Sequence, residues 1–152
     1  MTAALRPRLN LAVQYALSAR GLPSRAHFRK WVRAALAHDA IVTVRLVGQE
    51  EGRVLNCNYR DKNYATNVLT FVFRDQSPFE GDLALCAPVV TREARAQKKT
   101  LHAHYAHLTV HGMLHLQGYG HENDADAQAM ELRETQIMAK LRYADPYRFV
   151  RK

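Results

Sequence analysis

The chain has 152 residues, of which 47% are hydrophobic and 24% are charged, which predicts one soluble domain over residues 1–152 with a buried core. It contains no run of about 18 apolar residues, as a membrane helix needs, and its start lacks the apolar core of a secretory signal, so we expect a cytoplasmic protein without membrane contact. The 22 Lys and Arg residues against 14 Asp and Glu residues give a net charge of +8, which favours binding to a polyanion such as nucleic acid.

The first third of the sequence predicts two strands around a helix. Apolar residues occupy every second position from Leu9 to Leu17, which indicates a strand with one buried face, although the alanines between them also fit a helix. Ser24 is a typical helix N-cap. The residues behind it form an apolar stripe at helical spacing: Phe28, Trp31, Val32 and Ala35. Residues 41–48 are rich in β-branched side chains and end in glycine, so they predict a second strand.

The rest of the sequence passes from strands to helices. Residues 49–60 predict a short helix that ends in a turn, and the apolar runs at 68–73 and 82–88 predict two more strands. After Pro88 the pattern is helical, and it predicts three helices at about 88–98, 100–117 and 123–142. Strands followed by a helical half indicate an α+β sandwich.

Four of the eight histidines, at positions 104, 107, 111 and 115, lie on one predicted helix. At about 100° per residue they fall within an arc of roughly 80°, and residues four apart can bind one metal ion together. The pair is either His107 with His111 or His111 with His115, because His107 and His115 are about 12 Å apart along the helix axis.

The third ligand decides between these pairs. Gly118 can end the helix in the left-handed conformation and turn the chain back, so that His121 returns to the metal. The predicted ligands are therefore His111, His115 and His121. Three protein ligands leave a fourth position open for water, as in a catalytic zinc site, and we expect one Zn²⁺ per chain. Imidazoles also bind nickel, copper and iron, so the residues alone do not fix the metal.

The remaining histidines and both cysteines have ordinary structural interpretations. His107 is predicted to lie in the core or behind the metal ligands. A hydrogen-bonded core histidine is the simplest interpretation of the others: His27, His38, His102 and His104. Cys57 and Cys86 are 29 positions apart without metal-binding spacing, which predicts buried free thiols.

The stretch HGMLHLQGYGH follows the spacing HxxxHxxGxxH of metzincin proteases, but it lacks their glutamate after the first histidine. Gly112 stands in that position. In a peptidase the glutamate moves the proton of the attacking water to the leaving amine, so its absence counts against peptide hydrolysis. A phosphodiester has a better leaving group, and its cleavage is the more credible chemistry for a basic protein.

Several blocks of the sequence resemble the YbeY family of bacterial endoribonucleases. HGMLHLQGYGHE resembles the signature HGxLHLxGYDHE, and LNCNYRDKNYATNVLTFVF resembles LNxxYRxxDxPTNVLSFPF. GDLALCAP and AHLTVHG are similar to the blocks LGDIxI and HLxVHG, so the resemblance covers about residues 45–142 in the right order. The chain departs from the family at Gly120 (usually Asp), Ala65 (usually Pro) and Thr70 (usually Ser).

The resemblance implies a fold, an activity and a set of site residues. The fold is an αβα sandwich with a mixed sheet beside a zinc-binding helix. The activity is a single-strand-specific endoribonuclease that matures the 3′ end of 16S ribosomal RNA and acts in ribosome quality control. The zinc ligands are His111, His115 and His121, and Arg60 is the functional arginine. The partners are ribosomal RNA in the small ribosomal subunit, with ribosomal proteins or an assembly GTPase as further candidates.

Two other functions remain open at this point. One is a non-catalytic ribosome-assembly factor, in which zinc fixes the fold and the basic surface binds ribosomal RNA. The other is a zinc peptidase with a base from elsewhere in the chain, for which Glu122 and Asp82 are the candidates.

Overall fold

A computed structural model describes residues 6–148 and places a four-stranded sheet at the centre of the fold. The elements in chain order are β1 Leu9–Tyr15, α1 Arg25–Ala34, β2 Ala40–Val47, α2 Gln49–Arg60, β3 Val68–Arg74, β4 Phe79–Cys86, α3 Ala87–Ala96, α4 Leu101–Leu116 and α5 Asp124–Lys140. No helix within residues 6–148 combines the length and the apolarity that crossing a membrane requires.

The sheet is mixed, with the strand order β1-β2-β4-β3. β1 pairs in parallel with β2, and β2 in parallel with β4. β3 pairs antiparallel with β4 and forms one edge of the sheet. This arrangement confirms the predicted α+β class with a mixed sheet, and it resolves the first segment as a strand.

Helices cover both faces of the sheet. Leu46 belongs to the main core, which packs the sheet against α1 and α4. Val47 and Cys86 belong to a smaller core on the other side, where Leu55 of α2 packs against them. Because consecutive strand residues point to opposite faces, Leu46 and Val47 identify the two sides of the sheet. The layers are therefore helix, sheet and helix.

Three details of the sequence prediction are wrong. His27 and His38, which were predicted as core histidines, are exposed. β4 begins at Phe79 and not at residue 82. The Phe79 backbone N–H donates to the Asp39 carbonyl at 2.8 Å, and Phe79 pairs with Ala40 of β2, so the parallel ladder extends through a polar stretch. Cys86 is a buried free thiol as predicted, whereas Cys57 is a free thiol that is only partly buried.

The helix N-cap and the left-handed helix end were predicted correctly. Ser24 Oγ accepts a hydrogen bond from the His27 backbone N–H and caps α1. Gly118 has a φ of 108° and follows the last turn of α4. Both features depend only on neighbouring residues, so a local pattern was enough to find them.

α4 is buried on most of its circumference, and Gly112 lies where it meets the sheet. A Cβ atom added at Gly112 would stand 2.9 Å from Leu83 Cδ2 on β4. Position 112 therefore points into the main core, and a glutamate there would have to be buried against β4. Close packing of α4 on β4 thus explains why a glycine occupies the glutamate position of the metzincin spacing.

Replacement of Gly112 by alanine should destabilise the fold, because the cost of overpacking the helix–sheet contact, roughly 1–3 kcal/mol, exceeds the gain of up to about 1 kcal/mol from the better helix propensity of alanine. The matched control is Gly120→Ala, since a Cβ atom at Gly120 meets nothing within 4 Å. Denaturant midpoints of the two variants and the parent measure the effect. Equal midpoints for Gly112→Ala and Gly120→Ala would contradict this packing argument.

Candidate metal centre

The structure brings the four predicted site residues to one cleft of about 320 Å³. His111 and His115 come from α4, one turn apart, and His121 comes from the loop behind it. Arg60 is the last residue of α2. The remaining lining residues are Tyr59 of α2 and three residues of β3, namely Val68, Leu69 and Thr70.

The turn that carries His121 is fixed by the end of α4. The Gly118 N–H donates to the His115 carbonyl at 3.1 Å, and the Tyr119 N–H donates to the Leu114 carbonyl at 3.0 Å. These two hydrogen bonds form a Schellman motif, for which the positive φ of Gly118 is required. The chain consequently reverses directly after the helix, and His121 comes to lie beside His111.

The same turn orients His115. The His115 Nδ1 atom lies 3.1 Å from the Tyr119 carbonyl oxygen. A carbonyl oxygen only accepts, so Nδ1 carries the proton and Nε2 keeps its lone pair. A backbone carbonyl that fixes the tautomer in this way is a common partner of metal-binding histidines.

A buried carboxylate orients His111. Glu134 of α5 has no solvent exposure, and its Oε1 atom lies 3.1 Å from His111 Nδ1 and 2.7 Å from His107 Nε2. The Tyr147 hydroxyl donates to the same carboxylate at 2.8 Å. Burial raises the pKa of Glu134, but the hydrogen bonds from His107 and His111 outweigh it and lower the pKa to about 2.

Glu134 is therefore ionised at neutral pH and can only accept hydrogen bonds. The neutral His111 ring consequently carries its proton on Nδ1 and has its lone pair on Nε2, the same tautomer as His115. His107 is buried and shares the carboxylate from the helical turn before His111, in agreement with its interpretation as a residue behind the cleft.

Sequence reasoning missed Glu134. A signal was present, because Glu134 lies between the core residues Met130 and Ile137 on the buried side of α5. An acid at such a position needs hydrogen-bond donors, and the histidine-rich α4 is the obvious supplier. The partners are 23 and 27 positions away in the sequence, so the pairing itself could not be predicted from spacing.

The three imidazoles suit a divalent metal in chemistry and in location, although they do not converge as their side chains stand. The His111 and His121 rings are stacked, with centroids 5.1 Å apart and an interplanar angle of 17°. Within residues 6–148, no group of three or more His, Cys, Asp or Glu side chains is arranged to hold a metal ion. Metal binding by these three side chains would require a rotation of at least one of the three rings.

The two acids considered as bases for a peptidase lie outside this cleft. Glu122 is exposed and lines a different groove together with Tyr119 and Gly120. Asp82 of β4 points to the sheet face opposite Leu83, because strand residues alternate and Leu83 belongs to the main core against α4. Neither acid is placed to serve the histidines.

Substitution of Glu134 by glutamine should destabilise the metal-free protein by roughly 1–3 kcal/mol, because an amide cannot accept from His107, His111 and Tyr147 as a carboxylate does. The measurement is denaturant unfolding in the presence of a chelator. Glu122→Gln is the control, since Glu122 is an exposed acid. A Glu134→Gln midpoint equal to that of the control would show that the buried carboxylate does not stabilise this packing.

Comparison with known proteins identifies the family. The family model described as Endoribonuclease YbeY matches residues 20–142. Relatives named Endoribonuclease YbeY include one from Nitrosospira multiformis, 57% identical over 92% of this chain and 82% of its own length, and one from Nitrosomonas eutropha, 56% identical over 90% of this chain and 97% of its own length. The solution structure of a Thermotoga maritima protein shares the fold, with a TM-score of 0.55 and 23% identity over 87% of this chain and 91% of that one. The chain therefore belongs to the YbeY endoribonuclease family.

Proposed function

We propose that this protein is a zinc-dependent endoribonuclease that cleaves single-stranded RNA. The observation that carries the proposal is the common cleft of Arg60, His111, His115 and His121. It unites a guanidinium group with three imidazoles, which suits a phosphodiester better than a neutral peptide bond. The relatives named Endoribonuclease YbeY, at 57% and 56% identity, support the same activity.

His111, His115 and His121 would hold one Zn²⁺ per chain. When bound, zinc supplies Lewis-acid chemistry, which activates water and polarises a phosphoryl oxygen. The protein contributes the orientation of its ligands: Glu134 holds the His111 proton on Nδ1, and the Tyr119 carbonyl does the same for His115. When the rings are neutral, both therefore keep the Nε2 lone pair, which a metal would bind.

Arg60 is assigned to the scissile phosphate. It lies at the end of α2, lines the same cleft as the histidines, and is exposed. Its guanidinium group can bind two phosphate oxygens at once and stabilise the charge that grows on them in the transition state. The histidines and the arginine would thus act on the same phosphate within one cleft.

The proposed substrate is ribosomal RNA in the cytoplasm, and the proposed task is maturation of the 16S 3′ end together with ribosome quality control. The motif resemblance and the net charge of +8 support this assignment. The small ribosomal subunit is the proposed partner, and ribosomal proteins or an assembly GTPase would deliver the substrate. A non-catalytic assembly factor is the alternative that the cleavage assays below decide.

His115→Ala should lower both the zinc content and the cleavage rate. Loss of a residue that only supports a metal ligand commonly lowers metal affinity or activity 10- to 100-fold. Loss of a ligand itself should therefore lower the cleavage rate about 100-fold or more. The assay is a time course on single-stranded ribosomal RNA with protein purified without nickel affinity, paired with metal analysis. The control is His38→Ala, because His38 is an exposed histidine that lines a different groove. Unchanged cleavage by folded His115→Ala would indicate a contaminating nuclease and favour the assembly role.

Arg60→Ala should retain its zinc and lose roughly 10²- to 10³-fold in cleavage rate, as when one preorganised donor is removed from a transition-state site. Arg60→Lys should recover only part of the rate, because an ammonium group cannot bind two oxygens in a fixed fork. Arg74→Ala is the charge-matched control, since Arg74 is an exposed residue at the end of β3 and does not line the cleft. Parent-like cleavage by Arg60→Ala at equal zinc content would remove Arg60 from the mechanism.

A further inference from the structure

Tyr59 is a large aromatic residue that is exposed inside the candidate active-site cleft. Its exposed fraction is 53%, although it lines the same cleft as Arg60 and the three histidines. Burial in the core thus does not account for this ring, and its open part borders the region assigned to the scissile phosphate.

The Tyr59 ring is supported from behind. It packs on Phe71 of β3, with centroids 4.4 Å apart and an interplanar angle of 53°. Its backbone lies in the last turn of α2, and that helix ends at Asp61, a left-handed residue whose N–H donates to the Cys57 carbonyl at 3.0 Å. The contact with Phe71 and the position in the last helical turn restrict the ring, which reduces the entropy that it loses when a ligand binds.

A flat, preorganised ring beside an arginine is the combination with which proteins bind single-stranded nucleic acid. Arginine contacts the phosphate, and the neighbouring aromatic ring stacks on a base regardless of its identity. Arg60 and Tyr59 are consecutive residues that line one cleft. The two groups can therefore contact one nucleotide unit, the phosphate and a base next to it.

We propose that Tyr59 is the platform on which a base flanking the scissile phosphate stacks. The proposal rests on the proposed ribonuclease function and adds to it a physical basis for strand selectivity. In a duplex the faces of a base are occupied by its stacked neighbours, whereas in a single strand a base can be turned onto a protein ring. Tyr59 would accordingly favour unpaired RNA at the cleavage position.

Two other exposed aromatic residues serve as comparisons. Tyr64 is 56% exposed and Phe73 is 64% exposed, but neither lines the cleft. Tyr64 matches Tyr59 in residue type and exposure, so it separates stacking in the cleft from a general effect of surface aromatic rings.

The test uses the full chain as purified and a single-stranded 2′-O-methyl oligoribonucleotide that contains 2-aminopurine, with its integrity checked on a gel. Fluorescence anisotropy gives the dissociation constant, and quenching of 2-aminopurine reports stacking on a ring. We expect Tyr59→Ala to bind about tenfold more weakly and to lose the protein-dependent quenching. Tyr59→Phe and Tyr64→Ala should behave like the parent in both measurements.

Two results of the binding assay would overturn the proposal: full quenching with Tyr59→Ala, or a Tyr59→Phe variant as defective as Tyr59→Ala, which would assign the effect to the hydroxyl group. If Tyr59→Ala does not fold, Tyr59→Leu replaces it, because leucine keeps an apolar contact with Phe71 but has no flat ring.

A parent protein that binds and quenches the probe but cuts no RNA would support stacking and contradict the nuclease function. Cleavage by Tyr59→Ala with parental KM and the parental preference for unpaired RNA would contradict stacking and leave the nuclease function intact.

Discussion

The buried carboxylate of Glu134 is the interaction on which the geometry of the cleft depends. An ionised carboxylate without solvent contact is costly unless donors surround it. Here the donors are His107 and His111 of α4 and Tyr147 of the segment behind α5. The charge thus ties α5 and the segment behind it to α4, and the same bond that offsets the burial of Glu134 fixes the ring of His111. Folding and orientation of the His111 ring are therefore coupled at this position.

The consequences continue along α4, which serves both the core and the cleft. Because neighbouring residues on a helix point about 100° apart, His111 can face the cleft while Gly112 packs on Leu83 of the sheet. The glycine at the glutamate position of the metzincin spacing is therefore explained by close helix–sheet packing, in addition to the change of chemistry that the missing glutamate indicates. Four residues further along α4, His115 is hydrogen-bonded to the Tyr119 carbonyl of the turn that Gly118 makes. Glu134 therefore orients His111, and the turn at the end of the helix orients His115.

The sequence was sufficient for features that neighbouring residues determine. Ser24 as a cap, Gly118 as a left-handed helix end and the apolar alternation of β1 all follow from local spacing, and the spacing of the histidines predicted which of them share a cleft. Features that depend on distant partners were out of reach. Glu134 finds its donors on another helix, and β4 starts early because Phe79 pairs with a strand that precedes it by more than thirty residues. Arg60 carried no local signal of its own, and only the resemblance to a family marked it.

The charges that face the cleft distinguish the candidate chemistries more sharply than the histidines do. Peptide hydrolysis needs a carboxylate beside the metal to move a proton onto a poor leaving group. Among the described residues that line the cleft, the charged side chain is Arg60, while Glu122 and Asp82 project elsewhere. Glu134 is near, but its oxygens are engaged by two imidazoles and a hydroxyl group, and the protein closes it off from solvent. A cleft with an exposed arginine beside a fully engaged acid attracts an anionic substrate, and it stabilises charge that grows on oxygen better than it accepts a proton. Those are the requirements of phosphodiester cleavage.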